Sequence, residues 1–160
     1  MHRQLKALDL FCGAGGVCAG LQRAGFYVVG IDIEPQPNYP GTFIQANALS
    51  PPVNLGTYDF IWASPPCQGY TQLLTFWGKD TDYMRAQHPD LISATRELLK
   101  PYPYTCIENV PNAPVRKDLE LTLPMLQENR HTRKRHFELS FPVPQPPPAH
   151  APPNLSLIHI

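Results

Sequence analysis

The sequence predicts an α/β protein built on a doubly wound, mostly parallel sheet. Short apolar runs rich in β-branched residues alternate with glycine turns and helical periodicity from residue 5 to residue 110. Strands that alternate with helices or crossovers usually form a parallel sheet. Chemically suggestive residues follow four of these runs, and ligands of such folds bind at the carboxyl ends of the strands. The 160 residues are enough for one such domain with a hydrophobic core.

The patterns predict the elements in order. Apolar and β-branched runs predict six strands, at residues 5–11, 26–33, 42–49, 58–64, 104–110 and 135–141. A short helix over 18–25 is closed by Gly25, and the spacing of apolar residues predicts a second helix over 89–100. The fourth strand leads directly into the sequence SPPC, which holds a cysteine behind two prolines.

Composition restricts the kinds of site. Thirteen basic and thirteen acidic residues give a formal net charge of zero, so a nucleic-acid-binding role would depend on a local patch such as residues 130–136, unless that run is only a solvated loop. The four cysteines show neither a C-x-x-C pair nor metal-ligand spacing with histidine, so we expect no metal site. We expect reduced thiols, a cytoplasmic location and no membrane span.

Proline is concentrated near the end of the sequence. The chain has 20 prolines in 160 residues, more than twice the usual share of about 5%. Seven of them lie between Pro142 and Pro153, where neither a helix interior nor a central strand can form. We therefore expect a compact domain over residues 1–141 and a proline-rich, extended tail over 142–160.

The sequence DLFCGAGG places three glycines between the first strand and the first helix. Glycines there allow a tight turn in which backbone amides approach a ligand, although such turns also serve packing alone. Asp32 ends the second strand and could accept hydrogen bonds from ribose hydroxyls, or could simply form a turn. Cys18 stands where a nicotinamide fingerprint requires glycine, which disfavours a dehydrogenase.

Five short segments, in this order and spacing, resemble the cytosine carbon-5 DNA methyltransferase family, and in particular its short bacterial or phage-encoded members. They lie between residues 8 and 141: DLFCGAGG, IDIEP, SPPCQGYT, IENVP and RKRHFE. The resemblance implies a Rossmann-like S-adenosylmethionine-dependent methyltransferase fold with S-adenosylmethionine as cofactor. It also implies double-stranded DNA as partner, a flipped-out target cytosine, and the cytoplasm of a bacterium or phage-infected host, as in restriction–modification.

The resemblance assigns catalytic roles to four residues. Cys67 would add as a thiolate to carbon 6 of cytosine, which makes carbon 5 nucleophilic. Glu108 would contact ring nitrogen 3 and the exocyclic amine. Arg135 would contact the carbonyl oxygen of the base, supported by Arg133. The alternatives are a structural thiol at Cys67 and a strand-end ion pair at Glu108.

The family's binding residues carry over to the glycine turn and the strand ends. Cofactor contacts would fall on Phe11, Gly13, Ala14, Gly15, Gly16, Asp32, Ile33, Asn47 and Pro66. Substrate contacts would fall on Gln68, Thr71 and Asn109, and Asn109 is also expected to hold the turn that follows. Asn47 departs from the family, which usually has an aspartate there, so this position offers the adenine amine a neutral acceptor.

A larger departure follows Phe141. The family continues into a target-recognition region and late motifs, whereas this sequence continues with the proline-rich tail. We therefore expect a C-terminally truncated fold, either as a fragment or minimal form or with a second chain supplying the missing parts. Residues 71–88 are expected to form a lid over the base or to pack back on the domain. The remaining alternatives for function are a catalytically silent nucleic-acid-binding remnant and the same chemistry on RNA.

Overall fold

The computed structural model describes residues 3–67, 90–124 and 132–144 of the chain. These ranges contain a seven-stranded sheet with the strand order β3-β2-β1-β4-β5-β7-β6. The strands are β1 Lys6–Leu10, β2 Tyr27–Asp32, β3 Thr42–Gln45, β4 Phe60–Ala63, β5 Thr105–Asn109, β6 Leu119–Pro124 and β7 Thr132–Leu139. The helices are α1 Gly16–Arg23 and α2 Leu91–Leu99, with a 3-10 turn at Leu55–Thr57.

Strands β3, β2, β1, β4 and β5 are parallel, whereas β7 runs antiparallel to β5, and β6 antiparallel to β7. Leu10 lies opposite Ile31 on one side and Ala63 on the other, so the carboxyl ends of the three central strands meet at one edge. The predicted fold class, a Rossmann-like, doubly wound and mostly parallel α/β sheet, is confirmed.

Alternating side chains of the central strands supply the core on both faces of the sheet. On one face, buried residues of β1, β2 and β4 pack with Leu99 of α2. On the other face, Ala7 and Val28 pack with Cys18 of α1 and with Tyr39. Complete burial of an aliphatic side chain contributes about 2 kcal/mol. Within the described part of the chain, one helix packs on each face of the sheet and stabilises it.

The glycine turn leads directly into α1, which begins at Gly16 and not at Cys18 as predicted. Gly15 has φ 89°, and a Cβ there would lie 2.3 Å from Cδ of Pro40. Both the conformation and the close approach require glycine. Helix α2 begins at Leu91, one residue after Asp90, whose carboxylate accepts hydrogen bonds from the amides of Ile92 and Ser93.

Strand β6 was not predicted from the sequence. Its segment LELTLP alternates apolar and polar residues and ends in proline, as suits an edge strand paired on one side. The predicted sixth strand is β7, which begins three residues earlier than expected. The predicted third strand ends early, at Gln45, because the side chain of Asn47 accepts the amide of Leu49 in a turn, at 2.9 Å.

An ion pair with a buried carboxylate joins α2 to β7. Glu138 is 5% exposed and accepts hydrogen bonds from Arg96 Nε at 2.7 Å and Nη2 at 2.9 Å. It also accepts the backbone amide of Arg116 at 3.0 Å. Burial alone would raise the pKa of Glu138, but the hydrogen bond from Arg96 lowers it below its ordinary value. This pair anchors the strand that carries Arg135.

Candidate active site

A cavity of about 400 Å³ opens at the carboxyl ends of the parallel strands, where the fold class places a ligand site. Nine of the fourteen described residues that line it are predicted site residues: Phe11, Asp32, Ile33, Asn47, Pro66, Cys67, Glu108, Asn109 and Arg135. The other five were not predicted: Ala48, Ser64, Pro65, Leu91 and Val110. Four of these five lie within two residues of a predicted site residue in the sequence. Leu91 reaches the cavity only because α2 begins there.

The first strand ends in a strained turn. Phe11 has φ 57°, a conformation that costs a non-glycine residue about 1–3 kcal/mol and is often found at ligand sites. The amide of Gly13 then donates to Oδ2 of Asp32 at 2.8 Å. The turn is thereby joined to the end of β2, which brings Phe11 and Asp32 to the same cavity.

The predicted residues Gly13, Ala14, Gly15 and Gly16 form this turn but are not among the lining residues of the cavity. Gly15 is buried beneath the turn, whereas Ala14 and Gly16 are exposed beside it. In the structure, the four residues shape the approach to Asp32, and whether they contact a cofactor stays a prediction.

Asp32 is the acidic side chain on the β2 side of the cavity. Its two oxygens accept the amides of Gly13, at 2.8 Å, and Glu34, at 3.0 Å. Each carboxylate oxygen can accept two hydrogen bonds, so both keep a lone pair for a ligand hydroxyl. The backbone bonds therefore orient the carboxylate without exhausting it.

The loop after β4 presents a thiol. Pro65 is buried, Pro66 is exposed, and Cys67 is partly exposed at the cavity wall. The other three cysteines, Cys12, Cys18 and Cys106, are buried. Burial raises the pKa of Cys12 to about 12 and also raises that of Cys106. Cys67 is therefore the accessible thiol among the four.

Glu108 and Arg135 form an ion pair on the same cavity. Nε of Arg135 lies 2.7 Å from Oε1 of Glu108, and each side chain is 19% exposed. The antiparallel pairing of β5 with β7 sets Glu108 opposite Phe137, which brings Arg135 next to it. The cavity thus combines a thiol, a carboxylate and a guanidinium, a set suited to nucleophilic addition with stabilisation of developing charge.

Five predictions fall partly or wholly outside the described residues. Gln68, Thr71 and the predicted lid over 71–88 lie outside them, as does the tail beyond Pro144. The backbone of Arg133 belongs to β7, but the side chain of Arg133 is not among the described parts of the structure. The predicted pairing of the two arginines on one face therefore stays a prediction.

Within residues 3–67, 90–124 and 132–144, no helix is long and apolar enough to cross a membrane. Across the same residues, no three His, Cys, Asp or Glu side chains cluster as a metal ion would require.

No family model matches the chain. It is 33% identical over 82 residues to the Type II methyltransferase M1.HphI of Haemophilus parahaemolyticus, an alignment covering 42% of this chain and 22% of that relative. It is 29% identical over 84 residues to the Type II methyltransferase M.AgeI of Thalassovita gelatinovora, covering 42% and 20%. The aligned part thus spans about a fifth of the length of each curated relative.

Solved structures to which the chain is similar include the S. pombe Dnmt2 methyltransferase, with TM-score 0.48 and 18% identity over 88% of this chain and 51% of that one. Another is a Burkholderia thailandensis 1,6-didemethyltoxoflavin-N1-methyltransferase solved with S-adenosylhomocysteine, with TM-score 0.45 and 13% identity over 85% and 54%. At these identities the similarity describes the fold alone.

Proposed function

We propose that this chain is the cofactor-binding and catalytic part of an S-adenosylmethionine-dependent DNA methyltransferase that modifies carbon 5 of cytosine. The observation that carries the proposal is the shared cavity. Cys67, Glu108 and Arg135 line it together with Phe11 and Asp32, although they come from distant parts of the chain. The similarity of the chain, over 82 residues, to a Type II methyltransferase supports the same class of reaction.

The residues present fit the proposed cofactor. The strained turn at Phe11, the oriented carboxylate of Asp32 and the exposed ring of Pro66 all line the cavity. Asp32 would hold the ribose hydroxyls, and Phe11 and Pro66 would contact the apolar adenine ring. Asn47 would offer its remaining lone pair to the adenine amine, since one is used by the amide of Leu49. S-adenosylmethionine supplies an electrophilic methyl group when bound.

Cys67 would activate the base covalently. Carbon 5 of cytosine is a weak nucleophile, so the thiolate of Cys67 forms a bond to carbon 6 and the electrons of the 5,6 double bond move to carbon 5. After carbon 5 is methylated, loss of its proton lets the sulfur leave and restores the ring. A base stacked in a duplex is out of reach of the thiol, so the target must be flipped out.

Glu108 and Arg135 would hold the ring during this addition. Their ion pair fixes both side chains at the cavity before a base enters. Glu108 then binds the nitrogen 3 edge and Arg135 the carbonyl oxygen, where charge develops as sulfur adds. Preorganised groups of this kind commonly contribute 100-fold or more to a rate.

Two measurements test the proposal. Calorimetric titration with S-adenosylhomocysteine should give a heat of binding with the wild-type chain. In Asp32→Ala the dissociation constant should rise at least about tenfold, because about 1.4 kcal/mol of hydrogen bonding is lost. The matched control Asp59→Ala changes a carboxylate near the amino end of β4 and should bind normally. A wild-type chain without any heat of binding would refute the cofactor assignment.

The covalent step has its own test. Duplex DNA with 5-fluorocytosine should form an adduct with the chain, seen by mass spectrometry in the presence of the cofactor. The adduct should vanish in Cys67→Ser and persist in Cys106→Ser, which changes a buried thiol. Parallel arms with tRNA and duplex DNA identify the substrate. Adducts on tRNA alone would refute the DNA assignment, and adducts surviving in Cys67→Ser would refute the nucleophile.

A further inference from the structure

The hydrogen-bond ladder between β4 and β5 follows a regular parallel pattern at first. Ile61 lies opposite Thr105, and its amide donates to the carbonyl of Tyr104 at 3.0 Å. In a parallel ladder this pattern repeats every two residues. Its continuation sets position 65 opposite position 109 and would direct the amide of Val110 to the carbonyl of Pro65.

At that position a side chain takes the place of the direct bond. The amide of Val110 donates to Oδ1 of Asn109 at 2.9 Å, and Nδ2 of Asn109 donates to the carbonyl of Pro65 at 2.8 Å. Asn109 is 2% exposed, so water does not compete for these bonds. Pro65 has no N–H with which to close the ladder from its own side.

The two strand ends are therefore held apart by the width of one side-chain amide. On one side of this amide, Pro65 leads through Pro66 to Cys67. On the other side, Asn109 directly follows Glu108. Residues of both segments line the cavity.

We infer that Asn109 is a positioning residue, whose interposed amide sets the distance between the Cys67 loop and Glu108. This inference rests on the proposed function for its catalytic consequence, and on the described hydrogen bonds for its geometry. Asn109 acts through Pro65 and Val110 and not on the base, which differs from the substrate contact that the resemblance implies.

The expected effect follows from the geometry. Without the side-chain amide, Val110 can bond directly to Pro65, and the two segments approach each other. A misplacement of about 1 Å in a reacting group can cost about 100-fold in rate. Asn109→Ala should therefore lower the rate of adduct formation about 100-fold. Asn109→Asp has the same shape and can still accept the amide of Val110, but it cannot donate to Pro65. Its rate of adduct formation should therefore fall by a similar factor.

The geometry can be tested without any reaction. In spectra of the ¹⁵N-labelled wild-type chain, the side-chain amide protons of Asn109 should exchange with solvent at least about 100-fold more slowly than those of the exposed Asn47, because both acceptor and donor are buried. The backbone amide of Val110 should shift in Asn109→Ala. Fast exchange at Asn109 would overturn the inference whatever the chain catalyses.

The catalytic consequence is tested with the fluorocytosine duplex under single-turnover conditions. Both Asn109 variants should slow adduct formation about 100-fold, with the half-saturating DNA concentration and the affinity for S-adenosylhomocysteine changed less than about threefold. Asn54→Ala removes a cap on the 3-10 turn and controls for lost stability, since its rate should stay unchanged.

A wild-type rate in both Asn109 variants, or a change in half-saturation alone, would overturn the positioning role. A wild-type chain that forms no adduct at all refutes the proposed function, and the exchange experiment then decides on the geometry.

Discussion

Asp9 links the pH of the solution to the stability of the fold. It lies near the carboxyl end of β1, is 0% exposed, and accepts a hydrogen bond from Tyr39 Oη to Oδ2 at 3.0 Å. Among the described residues its Oδ1 has no hydrogen-bond partner. Gly30 makes room for Tyr39, since a Cβ there would lie 2.2 Å from the tyrosine ring. Burial raises the pKa of Asp9 from 3.8 to about 7.

The sign and size of the effect follow from this pKa. Between pH 3.8 and about 7, the folded state holds a proton on Asp9 that the unfolded state has released, so stability falls as the pH rises. The stabilisation of the fold by the proton on Asp9 is fully present below pH 3.8 and is lost above pH 7. A shift of about 3 pH units, at 1.36 kcal/mol each, gives a loss of about 4 kcal/mol.

Asp9→Asn keeps the shape and the Tyr39 bond but carries no charge at any pH. The free energy of unfolding of this variant minus that of the wild type should therefore rise by about 4 kcal/mol from pH 4 to pH 8. Urea unfolding followed by tryptophan fluorescence across this range measures both proteins, and subtraction cancels the other titrating groups. A difference that stays constant within about 1 kcal/mol would refute the assignment of a raised pKa to Asp9.

Three further outcomes are expected. Gly15→Ala should lose about 1–3 kcal/mol of unfolding free energy because of its positive φ and close neighbour, whereas Gly20→Ala in the exposed face of α1 should gain up to about 1 kcal/mol. Glu138→Gln should lose about 1–3 kcal/mol because the charge-assisted hydrogen bonds from the partly exposed Arg96 are weakened, and the exposed Glu97→Gln less than about 0.5 kcal/mol. In the folded chain, iodoacetamide should modify Cys67 first, at least about tenfold faster than the buried thiols, as peptide mass mapping would show.

Each of these outcomes can fail in a recognisable way. Equal stability of the two glycine variants would contradict the close approach of the glycine turn to its neighbouring loop. Equal unfolding free energies of Glu138→Gln and the wild type would mean that the ion pair does not stabilise the sheet. Uniform alkylation of all four cysteines in the native state, with unfolding excluded by fluorescence, would contradict the exposure of Cys67.

Much of the site could be predicted from local sequence, because several candidate residues lie at or shortly after the end of a short apolar run. In a parallel sheet the ends of such runs meet at one edge, so the sequence alone predicts that Asp32, Cys67 and Glu108 lie near one another. The glycine turn was recognisable because few other residues reach its positive φ angles. These features depend on one or two elements at a time, and sequence order is enough to locate them.

Other features needed the tertiary structure, because they depend on which strands become neighbours. The pairing of β5 with the antiparallel β7 brings Arg135 against Glu108, and no local pattern states that pairing. The raised pKa of Asp9 requires its burial beside Tyr39, which lies 30 residues away in the chain. The amide of Asn109 between β4 and β5 is recognisable only from their register. The sequence by itself thus determined which groups lie at the strand ends, and the tertiary structure decided their partners, since partners are set by the packing of segments far apart in the chain.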